Sequence, residues 1–229
     1  MKPAVNLVVA AHPDDEILGF GATGAKLAAR GETIQPVLLC GHVDARTQRP
    51  SDAELAADIV DACRTVGFAQ PVLGDFPNIR LNTVPHIELV QFLETQIAAF
   101  APDRIFTHHP GDLNDDHRQV AAACFAATRL FQRRSDLARV RSLHCMEIPS
   151  ATDWSFPTLG PAFEANEYVG IDDTLDTKLA ALACYRKVMR PFPHPRSEEA
   201  IRGLAAVRGA ECGLGHAEAF QTVFSTWMD

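Results

Sequence analysis

Two segments of the chain are rich in histidine and aspartate and have the composition of a metal site. The first is HPDDE at residues 12–16, and the second is THHPGDLNDDH at residues 107–117. Imidazole nitrogens and carboxylate oxygens are ligands that suit zinc. His12, Asp15 and His117 would supply three protein ligands and leave a coordination position for a catalytic water.

A simpler explanation exists for each segment. Pro13 and the acids that follow it are typical of the first turn of a helix, whose positive end favours carboxylates. His117 lies on the apolar side of a predicted helix, so it could be an ordinary core histidine. Neither explanation accounts for His12, and three consecutive acids repel one another unless a cation is present. With a metal bound, Asp14 could act as the general base on its water.

The two segments occupy equivalent places in an alternation of strands and helices. Strands are predicted at 5–11, 33–40, 71–76 and 103–108, and helices at 16–30, 51–66, 84–99 and 115–133. The tail adds strands near 140–148, 166–171 and 219–224, and helices near 174–188 and 197–212. This pattern predicts an α/β, Rossmann-like three-layer fold with a mostly parallel sheet and helices on both faces. Ligands bind such sheets where strands end and lead into helices, and both segments lie there.

Composition excludes several classes of function. The chain has 229 residues, which we interpret as a single domain over 1–229. Lys plus Arg number 21 and Asp plus Glu number 29, for a formal charge of −8, and no basic run occurs, which argues against nucleic-acid binding. No stretch approaches the roughly 20 apolar residues of a membrane span. The six cysteines form no CxxC pair, which suits a reducing, cytoplasmic location.

The two motifs resemble those of a known family. AHPDDE (Ala11–Glu16), paired with HPGDLNDDH (His109–His117), is similar to the PIG-L/LmbE-like zinc-dependent de-N-acetylases. PHPRSEEAIRGLAAVRG at 193–209 and AEAF at 217–220 resemble the tail of a subgroup from glycan and natural-product pathways. The resemblance implies a zinc enzyme that removes the N-acetyl group of an amino-sugar-containing small molecule. A His₂Asp ligand set with open positions also tolerates iron(II). Family members are often homo-oligomers, which leaves the oligomeric state of this chain open.

Matched by position, the resemblance implies a role for each residue of the two motifs. His12, Asp15 and His117 would be the metal ligands and Asp14 the general base. Asp116, the acid just before the second ligand histidine, would orient a ligand.

One position departs from the family pattern. Many members carry a histidine three residues before the second ligand histidine, where this chain has Asn114. Stabilisation of the oxyanion, or protonation of the leaving amine, would then fall to Asn114 or to His194.

The resemblance and the loop compositions also suggest substrate contacts. The loop DFPNIRL at 75–81 resembles a family substrate loop, with Asn78 where Asp is more frequent. Substrate-binding residues are predicted to be Asn78, Arg80, Arg46, Arg49, His109 and Trp154, the last stacking on a sugar ring together with Phe156.

Two other functions compete with this prediction. An inactive sugar- or nucleotide-binding module of the same fold would have no need for Asp14. Gly19, Gly21 and Gly24 spell G-x-G-x-x-G, which suggests a dinucleotide-binding oxidoreductase. That fingerprint needs its first glycine directly after the strand, whereas here the acidic segment intervenes. The glycines then fall inside a predicted helix, where they would allow close packing.

Overall fold

A computed structural model describes residues 3–42, 50–156 and 160–227. Within these ranges the chain forms seven strands, six α-helices and two short 3₁₀ helices at Leu81–Thr83 and Leu130–Gln132. The strands are β1 (Val5–Ala10), β2 (Thr33–Leu38), β3 (Val72–Leu73), β4 (Arg104–Thr107), β5 (Ser142–Met146), β6 (Glu167–Gly170) and β7 (Ala217–Ser225). The α-helices are α1 (Asp15–Ala29), α2 (Asp52–Val66), α3 (His86–Phe100), α4 (Asp115–Ala127), α5 (Leu175–Cys184) and α6 (Glu198–Cys212).

The strands form one sheet in the order β3-β2-β1-β4-β5-β7-β6. Neighbouring strands from β3 to β5 are parallel, whereas β7 runs antiparallel to both β5 and β6. The chain order reverses beside β1, which pairs with β2 on one side and with β4 on the other. At such a switch point the loops after two adjacent strands leave a crevice between them. The predicted α/β fold is therefore confirmed, and the HPDDE and HPGDLNDDH loops lie at this crevice.

Helices cover both faces of the sheet. One apolar cluster unites α1, α2, α5 and α6 with alternate residues of β1, including Val8 and Ala10. The other unites α3 and α4 with the intervening residues Leu7 and Val9. A strand buried on both faces has no polar alternation, which explains the continuous apolar run from Leu7 to Ala10. Among the described residues, no helix is long and apolar enough to cross a bilayer.

The predicted element boundaries hold closely, with three exceptions, one of which is α5, which ends at Cys184 although 174–188 was predicted. The capping box at α2 is present, since Ser51 Oγ accepts a hydrogen bond from Glu54 N and Glu54 accepts one from Ser51 N. Strand β3 has two residues where 71–76 was predicted, because it is an edge strand that pairs with β2 alone. Helix α4 ends at Ala127 although 115–133 was predicted, and there the Thr128 hydroxyl donates to the carbonyl of Cys124.

The glycines of α1 serve close packing, as predicted. A Cβ added at Gly19 would lie 2.5 Å from Ile148 Cδ1, and one at Gly24 would collide with the ring of Phe68. Both positions are inside the helix rather than in the turn that follows β1. The turn after the strand holds acids instead, so the dinucleotide fingerprint lacks its structural context.

A buried ion pair fixes the middle of α1. Lys178 Nζ donates to Glu218 Oε1 and to the Leu18 carbonyl, each over 2.7 Å. The Glu218 carboxylate in turn accepts hydrogen bonds from the backbone N–H groups of Ala22 and Thr23. Both charged side chains are only 6% exposed. The pair therefore ties α5 and β7 to the helix whose first turn carries the HPDDE acids.

We expect Lys178→Met to lower the free energy of unfolding by about 3–5 kcal/mol, because it leaves the Glu218 carboxylate buried without a cation. Urea denaturation followed by circular dichroism measures the change. The double variant Lys178→Met/Glu218→Gln should regain part of the loss, and Arg134→Gln, which breaks an exposed pair with Asp136, should leave the midpoint unchanged. A Lys178→Met midpoint equal to that of the wild type would contradict this account.

Candidate active site

The three predicted metal ligands converge on one point in the crevice. Asp15 Oδ2 lies 3.2 Å from His12 Nδ1 and 3.1 Å from His117 Nε2. The two imidazole centroids are 5.3 Å apart. All three residues are buried, with at most 4% of their surface exposed. The HPDDE loop and the first turn of α4, a hundred residues apart in the chain, thus form one cluster.

The remaining nitrogen of each histidine faces another carboxylate. His12 Nε2 lies 2.9 Å from Asp116 Oδ2, and His117 Nδ1 lies 3.2 Å from Asp112 Oδ2. In metal sites such carboxylates fix the orientation and the tautomer of a ligand histidine. Sequence reasoning predicted the position of Asp116 but missed Asp112, which also accepts a hydrogen bond from Thr152 Oγ1 over 3.0 Å. Asp112 belongs to the same acidic loop, and that composition was the available signal.

Three groups of described residues have ligand atoms within 4.8 Å of one another: His12–Asp15–His117, His108–Asp112–His117 and His12–Cys40–Asp116. Burial, followed by the charges of Asp116 and Asp15, raises the pKa of the Cys40 thiol, which disfavours the thiolate. His108 Nε2 already accepts the backbone N–H of Ala11 over 2.8 Å. The group His12–Asp15–His117 contains neither a thiol with a raised pKa nor His108, and it therefore fits a metal ion best.

Opposite charges dominate the electrostatics of the cluster. Burial by itself lowers the pKa of His117, but Asp15 and Asp112 outweigh it and raise that pKa to about 10. Burial likewise opposes protonation of His12, yet hydrogen bonds with Asp116 and Asp15 raise its pKa. Burial would raise the pKa of Asp15, but the charge of His117 holds it well below its usual value. A divalent cation could supply the positive charge that these carboxylates otherwise draw from protonated imidazole.

His108 supports this cluster without sharing its charge. Its ring stacks on that of His117 with centroids 3.8 Å apart and planes 18° from parallel. Burial, followed by the charge of His117, lowers the pKa of His108 to about 3. Because Nε2 accepts the Ala11 N–H, the single proton of the neutral ring resides on Nδ1.

Asp14 is held in an unusual backbone conformation beside the ligands. Its φ of 108° is rare for a residue other than glycine and costs about 1–3 kcal/mol. The Asp14 N–H donates to Glu16 Oε2 over 3.0 Å, and Glu16 Oε1 accepts from Tyr185 Oη over 2.5 Å. Burial raises the pKa of Glu16 to about 8. The side-chain Oδ2 of Asp14 accepts a hydrogen bond from Arg196 Nη1 over 3.0 Å.

Asp116 also anchors the predicted substrate loop at 75–81. Its carboxylate accepts the backbone N–H groups of Ile79 and Leu81 over 2.6 and 3.0 Å. Between these anchors Arg80 is exposed. Asn78 is 3% exposed, and its Oδ1 has no hydrogen-bond partner among the described residues. One carboxylate therefore links His12 to the loop that carries two predicted substrate residues.

The two predicted donors for the oxyanion or the leaving amine have local partners. Asn114 caps α4, with its Oδ1 accepting the backbone N–H of Asp116 over 3.0 Å. His194 is exposed, and its Nδ1 accepts the backbone N–H of Arg196 over 3.0 Å. Arg196, which sequence reasoning missed, is the residue of the PHPRS segment that contacts Asp14.

The other predicted substrate residues differ in position. His109 is 1% exposed, its Nδ1 accepts the Gly111 N–H over 3.1 Å, and its ring packs edge-on against Phe163. Trp154 is 52% exposed and lies edge-on to Phe156, which is 55% exposed. Arg46 and Arg49 lie outside the described residues.

Comparison with solved structures supports the fold. The conserved protein TT1542 from Thermus thermophilus matches with a TM-score of 0.81 and 24% identity over 98% of this chain and 96% of that one. The N,N'-diacetylchitobiose deacetylase from Pyrococcus horikoshii matches with a TM-score of 0.78 and 18% identity, over 97% of this chain and 84% of that one. GalB, the 4-carboxy-2-hydroxymuconate hydratase from Pseudomonas putida KT2440, matches with a TM-score of 0.76 and 16% identity, over 99% of this chain and 98% of that one.

Two sequence comparisons bear on the family. The uncharacterized deacetylase YaiS of Escherichia coli K12 is 28% identical over 188 residues, which cover 77% of this chain and 87% of that protein. The family model described as PIG-L, GlcNAc-PI de-N-acetylase, matches residues 7–128, more than half of the chain, and this region includes both clustered loops. The chain therefore belongs to the PIG-L de-N-acetylase family.

Proposed function

We propose that this protein is a zinc-dependent N-deacetylase that hydrolyses the N-acetyl group of a sugar-containing small molecule to acetate and a free amine. The observation that carries the proposal is the convergence of His12, Asp15 and His117 beside Asp14, in a member of a de-N-acetylase family. We further propose that it works in the cytoplasm as a single-domain enzyme.

The donor atoms fit the metal. Two imidazole nitrogens and one carboxylate oxygen form the set found in hydrolytic zinc sites, although iron(II) accepts the same ligands. Held by His12, Asp15 and His117, the ion would lower the pKa of a water toward about 7 and polarise the acetamide carbonyl. Asp116 lies 2.9 Å from the second nitrogen of His12 and Asp112 lies 3.2 Å from that of His117, which would leave each ring's other nitrogen to face the centre.

The chain's own residues would move the protons. Asp14 takes a proton from the attacking water and returns it to the departing amine, so that proton is conserved through the reaction. The amide N–H₂ of Asn114 and the imidazole of His194 remain the two donors proposed for the oxyanion.

Several of the predicted substrate residues suit a polar, ring-containing substrate. The buried Oδ1 of Asn78 can accept a hydrogen bond from a substrate hydroxyl, which would satisfy an atom without a described partner. Arg80, exposed in the same loop, can bind a hydroxyl or an anionic group. Trp154 and Phe156 offer exposed faces for a sugar ring. The solved chitobiose deacetylase with this fold acts on an N-acetylated sugar by its name, which agrees with this assignment.

The alternatives have less support. GalB indicates that the fold also carries a hydratase, but this chain matches the family of de-N-acetylases. An inactive binding module would have no reason to maintain Asp14 in a strained conformation that Glu16 and Arg196 both hold.

We expect the zinc-loaded protein to release acetate from at least one compound in a panel of N-acetylated sugars, nucleotide sugars and glycosylated natural products. Chelation should abolish the release, and added zinc or iron(II) should restore it and so rank the two metals. Absence of acetate from the whole panel, with one metal bound per chain by elemental analysis, would contradict the proposal.

We expect Asp14→Asn to reduce kcat by about 10²–10⁴-fold while leaving the bound metal unchanged, because it removes the base and no ligand. Asparagine is the appropriate substitute, since it tolerates a positive φ better than alanine and keeps an oxygen for Arg196. Acetate release and metal content are measured on the same preparation.

The matched control is Asp115→Asn, which changes an exposed aspartate paired with Arg118 at the start of α4 and should retain wild-type turnover. Loss of metal from Asp14→Asn would show that Asp14, and not Asp15, is the ligand.

We expect the affinity for zinc to rise with pH. The pKa of His117 is raised to about 10, so its imidazole holds a proton at neutral pH that zinc must displace, and the raised pKa of His12 adds to this effect. Each displaced proton makes the apparent Kd about tenfold lower per pH unit, so a 10- to 100-fold tightening per unit is expected between about pH 6 and 8. Competition with a chromogenic chelator gives the Kd, and calorimetry in two buffers counts the protons released.

The variant Asp112→Asn tests whether the raised pKa of His117 causes this pH dependence. Without that carboxylate, the pKa of His117 falls and its orientation is lost, so fewer protons should be released and zinc should bind about 10- to 100-fold more weakly. An affinity that does not vary with pH would exclude proton displacement at this cluster.

A further inference from the structure

The PHPRS segment reaches the cluster through Arg196. Its Nη1 lies 3.0 Å from Asp14 Oδ2, and the two side chains are 20% and 1% exposed. A charge-assisted hydrogen bond between groups largely removed from water is stronger than the same bond at the surface. The Asp14 carboxylate, which we propose as the general base, is therefore bound by the guanidinium of Arg196 from the C-terminal part of the chain.

Arg196 is itself held on several sides. Its Nε donates to Ser150 Oγ over 2.6 Å, and its backbone N–H donates to His194 Nδ1 over 3.0 Å. The next residue, Ser197, is fully buried and caps α6 by accepting the Ala200 N–H over 3.0 Å. The guanidinium is thus fixed between the loop after β5 and the start of α6.

We propose that Arg196 is the positioning residue of the reaction, which holds the Asp14 carboxylate where it can take the proton of the attacking water. This inference rests on the proposed function, because it assigns Asp14 as the base. Glu16 binds the backbone N–H of Asp14, and Arg196 binds its carboxylate, so Arg196 acts directly on the orientation of the side chain. Loss of about 1 Å of alignment in such a group can cost about 10²-fold in rate.

The geometry requires arginine rather than lysine. The guanidinium uses two different nitrogens, Nε toward Ser150 and Nη1 toward Asp14, so one planar group spans both partners. A lysine ammonium is a single point on a flexible stem and does not reproduce this fork. A role that required only a positive charge would be met by arginine or lysine at position 196. The variant Arg196→Lys therefore distinguishes a requirement for geometry from a requirement for charge.

The test compares Arg196→Ala and Arg196→Lys with the wild type, each loaded with zinc. We expect Arg196→Ala to lower kcat by about 10- to 100-fold with KM changed by less than about threefold, because substrate binding is untouched. Arg196→Lys should recover little of the loss, whereas millimolar guanidinium added to Arg196→Ala should restore part of kcat. The control is Arg202→Gln, which removes a guanidinium from exposed pairs with Glu198 and Asp176 on α6 and should retain wild-type kcat.

A second readout is independent of turnover. Crystal structures of the wild type and Arg196→Ala should show the Asp14 carboxylate displaced or in two conformers in the variant, with zinc content unchanged. An Asp14 side chain that stays in place, a wild-type kcat, or full recovery by Arg196→Lys would overturn the positioning role. Failure of the wild type to release acetate would instead overturn the proposed function.

Discussion

A carboxylate buried between two imidazoles is the constraint around which this site is built. Asp15 is 1% exposed, and an isolated charge at that depth would be very costly. His12 and His117 compensate it, and each then needs a carboxylate for its second nitrogen, which Asp116 and Asp112 supply. Those carboxylates in turn accept further hydrogen bonds. Asp116 accepts two backbone N–H groups of the 75–81 loop, and Asp112 accepts the hydroxyl of Thr152. The crevice is therefore a hydrogen-bonded shell organised around the proposed position of a cation.

The two halves of the chain contribute differently to this shell. The region that the family model matches, 7–128, supplies all three proposed ligands and the proposed base. The groups that hold the base in its strained conformation include Tyr185 through Glu16, and Arg196. Both lie beyond that region, in the part of the chain that follows α5. Ligation thus depends on local loops, whereas alignment of the base depends on packing of the C-terminal elements against α1.

The sequence was informative where a short pattern determines the geometry. Strand and helix alternation predicted the parallel sheet, and the rule that ligands bind at strand ends predicted that His12 and His117 would meet. It was least informative for side-chain direction next to a strand. His109 was chosen as a site residue, yet His108 is the histidine stacked on His117, because adjacent residues of an extended segment point to opposite sides and the sequence does not state which side faces the crevice. Arg196 was missed for a related reason, since its contact depends on how the PHPRS loop folds back on α1.

The same fold carries a hydratase and a sugar deacetylase at 16% and 18% identity to this chain, so the crevice alone does not select the reaction. A cation held at the switch point can polarise many substrates, and the reaction is then decided by which proton acceptor stands beside it and how firmly. In this chain the proposed acceptor is Asp14, whose backbone is strained, whose N–H is bound by Glu16 and whose carboxylate is bound by Arg196. Strain of that kind persists only where surrounding contacts enforce it. In the proposed mechanism, the specificity for proton transfer therefore resides in the contacts around Asp14 rather than in the three proposed metal ligands.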